Sequence, residues 1–171
     1  MSKFQHPSET KGVVSIGTVD HAPDFPAIEV KAQYNPKELS VEFAVPWNVN
    51  PQSNKAPQKG IQLEFTGAQG RSMSLELTFD GYETNTSVAD SIRDLHKMAS
   101  VKKAGDADEN KRRPYMCVVT WGDTVQNFRC VIESLSTKYT MFSETGVPLR
   151  ATCIVKLKEA DVLSMAKTDG M

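Results

Sequence analysis

The sequence predicts a mainly β or α+β fold: antiparallel curved sheets forming a small barrel or sandwich, with one covering α-helix over about 86–102. Two observations lead there. Apolar and polar residues alternate with period two over much of the chain, as in Leu39, Val41, Phe43, Val45 and again in Met73, Leu75, Leu77, Phe79. That period marks strands with one buried and one solvated face. Only one segment carries a helical stripe, with strand-like runs before and after it, and a single helix cannot supply the crossovers that a parallel sheet needs.

The elements follow in order. Residues 1–12 read as a flexible polar lead, 13–160 as the domain, and 161–171 as a tail. Val13 to Val19 is a first strand, and Ile28, Val30 and Ala32 mark a second. Asn35-Pro36-Lys37 is a turn, since Asn favours turn initiation and Pro fixes φ. Leu39 to Val45 is the third strand. An arm loop follows over 46–60, with Pro46, Pro51 and Pro57 and few apolar residues; proline lacks the donor a central strand needs. A loop of this length in a compact domain points to function or disorder. Ile61, Leu63 and Phe65 resume the alternation, and Ser72 to Asp80 is the cleanest strand of the chain.

The helix is capped by Thr86 or Ser87, with Asp90 placed to reach back as in a capping box. Val88, Ile92, Leu95 and Ala99 form its apolar stripe. Tyr115 to Trp121 is a strand closed by a Gly122-Asp123 turn. Beyond it the apolar positions are even in Phe128, Cys130 and Ile132, then odd in Val131, Leu135, Tyr139 and Met141. A change of phase without a turn signal predicts a bulge or bend near Val131. Ser143 to Gly146 is a hairpin turn before a last strand in which Ala151, Cys153, Val155 and Leu157 share one face.

Composition narrows the function classes. A chain of 171 residues, 39% hydrophobic and 24% charged, is one ordinary domain with a core of its own. A formal net charge of -1 gives no general pull toward nucleic acid or membrane. The aromatics Tyr34, Trp47, Tyr82 and Trp121 are not interleaved with Arg or Lys as on a base-stacking platform, so no nucleic-acid partner is expected. No apolar run reaches the roughly 20 residues of a membrane helix, and no signal peptide is visible, so synthesis and assembly in the cytoplasm are expected. The cysteines Cys117, Cys130 and Cys153 lie in strand-like runs at no metal-ligand spacing, and read as buried thiols of a reducing compartment.

No catalytic constellation is legible. His6 and His21 fall in a tail and a turn, and His96 is mid-helix; a Cys117–His96 pair would lack an orienting group. Gly67 to Gly70 lacks the Lys and Ser/Thr of a phosphate loop, and Asp80 to Thr84 reads as a turn rather than a calcium loop. Neither cofactor nor metal is expected. Trp47 has two readings: packing over the edge of the core, or anchoring a subunit contact.

Motifs spread in order along the chain carry a resemblance. They are Tyr34-Asn35-Pro36-Lys37-Glu38-Leu39-Ser40-Val41, Val45-Pro46-Trp47, Leu63-Glu64-Phe65-Thr66-Gly67, and the run Met73 to Thr84. The late segments Val119-Thr120-Trp121-Gly122, Val131 to Leu135, Tyr139 to Phe142 and Gly146 to Thr152 continue it. Over roughly residues 27–160 the chain resembles the tube-type proteins of contractile injection systems, which are phage-tail-like particles. The resemblance implies a tail-tube-like β-barrel or sandwich and a structural subunit without catalysis. It also implies a sixfold ring of the inner tube at or near the tube–baseplate junction, between spike hub and tube. The partners it implies are copies of the chain and the tube, spike or hub, and baseplate proteins of a particle that can be released from the cell. Longer members carry a C-terminal LysM module; this chain stops at Met171, without room for one, which leaves the ring-forming domain or a chain cut short.

Under that reading the subunit interface is expected on the arm, at Pro46, Trp47, Asn48, Val49, Asn50, Pro51, Lys55, Gln58 and Lys59. Lumen candidates are the polar positions Ser74, Glu76 and Thr78, and Thr152, Lys156 and Lys158. A stand-alone small β-barrel binding a ligand or peptide is the alternative; it predicts a roomy interior.

Overall fold

Strand alternation does shape this molecule. A computed structural model of the protein describes residues 12–19, 23–49 and 61–163. The strands are β1 (Ser15–Thr18), β2 (Glu29–Lys31), β3 (Leu39–Glu42), β4 (Trp47–Val49), β5 (Leu63–Phe65) and β6 (Ser72–Asp80). The helix α1 (Ala89–Ala99) follows, then β7 (Cys117–Trp121), β8 (Val125–Phe142) and β9 (Pro148–Glu159). Seven strands form one sheet in the order β2-β1-β7-β8-β9-β6-β3, and β4 and β5 form a separate pair. Every pairing is antiparallel.

The sheet is open, not closed into a barrel: β2 and β3 are its edges and do not pair. Both edges are short, and side chains of the segment after β2 bond backbone groups of β6 and of the entry to β1. Gln33, just beyond β2, donates from Nε2 to Asp80 O and accepts the Asp80 N–H at Oε1, both at 2.7 Å. Asp80 lies past the reach of β3, which pairs with β6 only as far as Leu75. Asn35 accepts the Val14 N–H at 3.3 Å and donates to Gly12 O, so the same linker also holds the entry to β1. Backbone groups left by the short edges are satisfied in this way.

β8 runs through 18 residues because bulges bend it rather than end it. Its first part pairs with β7 and its later part with β9. Between Ile132–Leu157 and Ser134–Lys156 the register slips by one residue, leaving Glu133 without a partner. That is the expected phase change, placed at Glu133: Phe128, Cys130 and Ile132 are buried before it, and the odd positions Leu135 and Thr137 are half-buried after it. A second slip falls between Val119 and Trp121, where Asn127 takes φ +49. Asn tolerates that left-handed conformation better than most residues.

The core lies on one face of the sheet. Met73, Leu75, Leu77 and Phe79 of β6 and Ala151, Cys153, Val155 and Leu157 of β9 point into it, with Ile16 of β1 and Val119 of β7. α1 packs on β8 and β2, and buries Ile92, Leu95 and Met98 beside Val88. Ala99, expected in the stripe, is half-buried, and Met98 takes the deeper place. The capping box does not form. Val88 is the N-cap residue, without a side-chain cap; Ser87 Oγ accepts the Ala89 N–H at 3.1 Å, and Asp90 pairs instead with Arg93. A cation one turn along competes better for that carboxylate than the backbone does.

The turn into the helix depends on Gly81. Its N–H meets Leu149 O at 2.7 Å and its carbonyl accepts the Thr86 N–H at 3.0 Å. A Cβ there would sit 1.9 Å from Thr86 O, so only glycine fits.

The thiols are buried as expected, Cys117 opposite Cys130 and Cys153 on β9, none of them in a disulfide. Burial pushes the Cys130 thiol well above its ordinary range, with Cys117 adding to it, and burial raises Cys153 too. Neutral thiols in such surroundings behave as small hydrophobes.

Leu77 is 1% exposed at the centre of this core. Leu77→Ala is expected to lower unfolding free energy by about 3 kcal/mol. Urea denaturation checks it: a shifted midpoint with an unchanged slope is the predicted result.

Candidate functional site

The alternation that builds the core does not stop where the core stops. In β3, Leu39 and Val41 stand opposite Leu75 and Met73 of β6. The same odd row continues through Phe43 and Val45 into Trp47 and Val49 of β4. There it meets the odd row of β5: Trp47 pairs with Phe65 and Val49 with Leu63. The Trp47 and Phe65 ring centroids are 5.3 Å apart and tilted by 51°. Thr66 donates to Pro46 O at 3.3 Å at the root of the pair. An apolar stripe thus leaves the core and runs out along a two-stranded ribbon.

Nothing in the chain covers that ribbon among the described residues. Trp47 is 55% exposed, Phe65 50%, Leu63 52%, Val49 49% and Phe43 60%. None of them belongs to the core cluster or packs on it. Trp47 therefore does not lie over the edge of the core. An isolated two-stranded ribbon is marginal in water, and an apolar patch of this extent marks a contact surface.

Within the arm expected as a loop over 46–60, residues 47–49 form a strand, and 50–60 lie outside the described residues. Trp47, Asn48 and Val49 are a strand because the alternation outweighs the flanking proline; Pro46 serves the ladder through its carbonyl, where its missing N–H costs nothing. Of the expected interface residues, Pro46, Trp47, Asn48 and Val49 are described, and Trp47 and Val49 share the apolar face. Asn50, Pro51, Lys55, Gln58 and Lys59 lie outside the described residues. Phe65 and Leu63 were missed as partners of that face. Their period-two spacing was visible, but their register with Trp47 and Val49 was not.

The polar candidates come together on the opposite face of the main sheet. Ser74 stands opposite Lys156, Thr78 opposite Thr152, and Ser72 opposite Lys158. Glu76 stands opposite Ile154, an apolar break that is 42% exposed. β3 adds Ser40 beside Ser74, and β8 adds Ser134, Ser136 and Lys138 beside Lys156, Ile154 and Thr152. The bulge at Glu133 keeps these serines in phase with β9. A shallow cleft of about 220 Å³ opens here, lined by Ser40, Glu42, Ser72, Ser74, Glu133 and Lys156 among others. Acids and bases are interspersed, so the face carries no single-sign field.

Two ion pairs clamp the β6–β9 ladder at its ends. Arg71 binds Glu159 through Nη2–Oε1 at 2.6 Å and Nε–Oε2 at 3.1 Å, and its guanidinium lies 5.2 Å from the centre of the Phe128 ring. At the far end Arg150 reaches Asp80 Oδ2 from Nη2 at 2.7 Å and Nε at 2.9 Å. The Tyr82 N–H bond to Asp80 Oδ1, and then Arg150, hold the Asp80 carboxyl below its ordinary range; the Arg71 side chain, then its backbone N–H, do the same for Glu159. Asp80 is thereby a structural partner, not a cation ligand.

His96 is exposed and Cys117 buried. His6 and His21 lie outside the described residues. No group of three or more His, Cys, Asp or Glu is placed to hold a metal among the described residues. No helix among them is long and apolar enough to cross a membrane.

Both carboxyls titrate lower in the folded chain than in the unfolded one. Their contribution is present above the ordinary carboxylate range and is lost as pH falls through the depressed folded values. The stability gap between the wild type and an Arg71→Ala/Arg150→Ala variant is expected to be full above about pH 5 and to close toward about pH 2. Thermal unfolding across that range measures it.

A model of the family described as contractile injection system tube protein matches residues 16–167. No curated protein matches the chain.

Proposed function

The chain belongs to the contractile injection system tube protein family, and from that premise we propose that it is a structural, non-catalytic subunit that closes into rings with copies of itself. The uncovered apolar ribbon of β4 and β5 carries this reading. A subunit that works alone has no use for a stripe of Phe43, Trp47, Val49, Leu63 and Phe65 in water, whereas a subunit completed by its neighbours does. The short open edges β2 and β3 support it as well, since unpaired edge strands can be continued by another copy.

In this proposal the ring is sixfold and sits in the inner tube, at or near the junction of tube and baseplate, between spike hub and tube. Its partners are further copies, tube proteins, and spike or hub and baseplate proteins, in a particle assembled in the cytoplasm and able to leave the cell. The resemblance described above supports these particulars. The arm 46–60 makes the subunit contact. The face of Ser74, Glu76, Thr78, Thr152, Lys156 and Lys158 lines the lumen, where serine, threonine and balanced charge offer little apolar purchase to a passing chain.

A ligand-binding barrel finds less support. The sheet is open, and its inward positions are filled by Leu75, Leu77, Phe79, Val155 and Leu157 packed under the helix.

The test is a Trp47→Ser/Phe65→Ser variant. Both side chains are exposed, so unfolding stability should stay within about 1 kcal/mol of wild type. Sedimentation should show rings for the wild type and monomers for the variant. Rings at normal yield from the variant would overturn the role of the arm, and insoluble variant protein would restore Trp47 to the core edge.

A further inference from the structure

Two of the three cysteines face one another across a ladder. Cys117, the first residue of β7, stands directly opposite Cys130 of β8. Residues paired in this way project to the same face of a sheet, and here it is the core face: both are fully buried members of the core cluster. Met116 O accepts the Val19 N–H, and Arg129 O accepts the Ala160 N–H. The residue before each cysteine thus turns its carbonyl away from the β7–β8 ladder. Backbone direction alternates along a strand, so Cys117 and Cys130 turn theirs toward each other as a hydrogen-bonded pair, with Cα atoms about 5.5 Å apart. Disulfides span Cα separations of about 4.4–6.8 Å. The Cβ atoms of such a pair stand about 4.5–5.5 Å apart against about 3.8 Å in a disulfide, so closure draws the two together by on the order of 1 Å.

The place can give by that much. Cys117 opens β7, and Cys130 pairs on its other side with Glu159, the last residue of β9, so two strands end here. The slip between Val119 and Trp121 begins two residues along. Cys117 Sγ donates to Tyr115 O over 3.8 Å, a weak bond that a thiol gives up at little cost. Cys153 has no thiol opposite it: its ladder neighbours are Leu77 and Thr137. The ladder concerned also matters to the whole sheet. In the order β2-β1-β7-β8-β9-β6-β3, β7–β8 is the one ladder among the described strands that ties β2, β1 and β7 to the rest.

We propose that Cys117 and Cys130 form a redox-closed clasp, in which a peroxide converts the dithiol to a cross-strand disulfide that locks the β7–β8 ladder. One thiolate attacks a peroxide oxygen; the O–O bond breaks, a sulfenic acid forms, and the released hydroxide takes the thiol proton and leaves as water. The second thiolate attacks that sulfur; the S–O bond breaks, the S–S bond forms, and a second water leaves with the second thiol proton. Two thiols lose two electrons, and one hydrogen peroxide is reduced to two waters. Burial raises the Cys130 thiol, so thiolate is scarce and closure waits on opening at the strand end. The clasp therefore answers sustained oxidising surroundings rather than a brief pulse, and stays open in a reducing compartment. It belongs to the single chain and does not depend on the ring.

Peptide mapping of the full chain tests it. The wild type is held with hydrogen peroxide, quenched, unfolded with an alkylating agent present, and cut with trypsin, which cleaves after Arg129 and so separates the two cysteines. The expected product is a chain of monomer mass less two hydrogens, with a Cys117–Cys130 link and Cys153 alkylated. Its thermal midpoint should rise by on the order of 5 °C or more and fall back with dithiothreitol. Cys130→Val, which keeps a small apolar side chain in the core, should lose that shift. Three alkylated thiols after prolonged exposure, a link through Cys153, or sulfinic acid at Cys117 or Cys130 in place of the link would overturn the proposal. So would an unchanged or lowered midpoint in the linked chain, or an equal shift in Cys130→Val. If that variant does not fold, the wild-type map and midpoint decide by themselves.

Discussion

β9 is hydrogen-bonded to β6 on one side, from Lys158–Ser72 to Arg150–Asp80, and to β8 on the other, from Glu159–Cys130 to Pro148–Phe142. Paired along both edges, it leaves few backbone groups that can move without breaking a ladder. Its inward side chains Ala151, Cys153, Val155 and Leu157 are each fully buried. This strand fixes the phase of both neighbours. β6 inherits a clean split between an apolar inner row and a polar outer row. β8, which must also serve β7, accommodates its two partners with bulges, Glu133 among them.

From that rigid centre the molecule grades outward into parts with less support. The odd row of β3 begins half-buried at Leu39 and is 46% exposed by Val41. By Trp47 and Phe65 the same pattern is 55% and 50% exposed. Sequence has prepared an apolar face there, and nothing among the described residues covers it. The hydrophobic term that holds the core is thus left unsatisfied in the described part of the arm, which is the term the proposed association would use.

Much of this was legible before the structure. The bounds of β6 match the run Ser72 to Asp80 because alternation and a flanking glycine at each end agree. The bend in β8 announced itself in the change of apolar phase, to within two residues of Glu133. The polar face was legible in the same way, since period two assigns Ser74, Thr78, Thr152 and Lys156 to one side of paired strands. Other features were hidden for physical reasons. The pairing of Trp47 with Phe65 depends on a register set across a long connection, and local pattern does not encode it. Alternation tells that a face is apolar, not that anything covers it. A barrel or a sandwich was expected; the sheet stays open, with β2 and β3 as its edges, and Gln33 beyond β2 reaches Asp80 of β6 past the end of β3. Asp90 had a nearer partner in Arg93 than the helix terminus.

The central claim is that an uncovered ribbon becomes covered when copies join. Amide hydrogen exchange of residues 47–49 and 63–65, compared between dilute single chains and assembled particles, addresses it most directly. The account predicts fast exchange in the ribbon of the single chain and protection approaching that of β9 in the particle. Equal protection in both states, or a ribbon that stays open to solvent inside the particle, would contradict it.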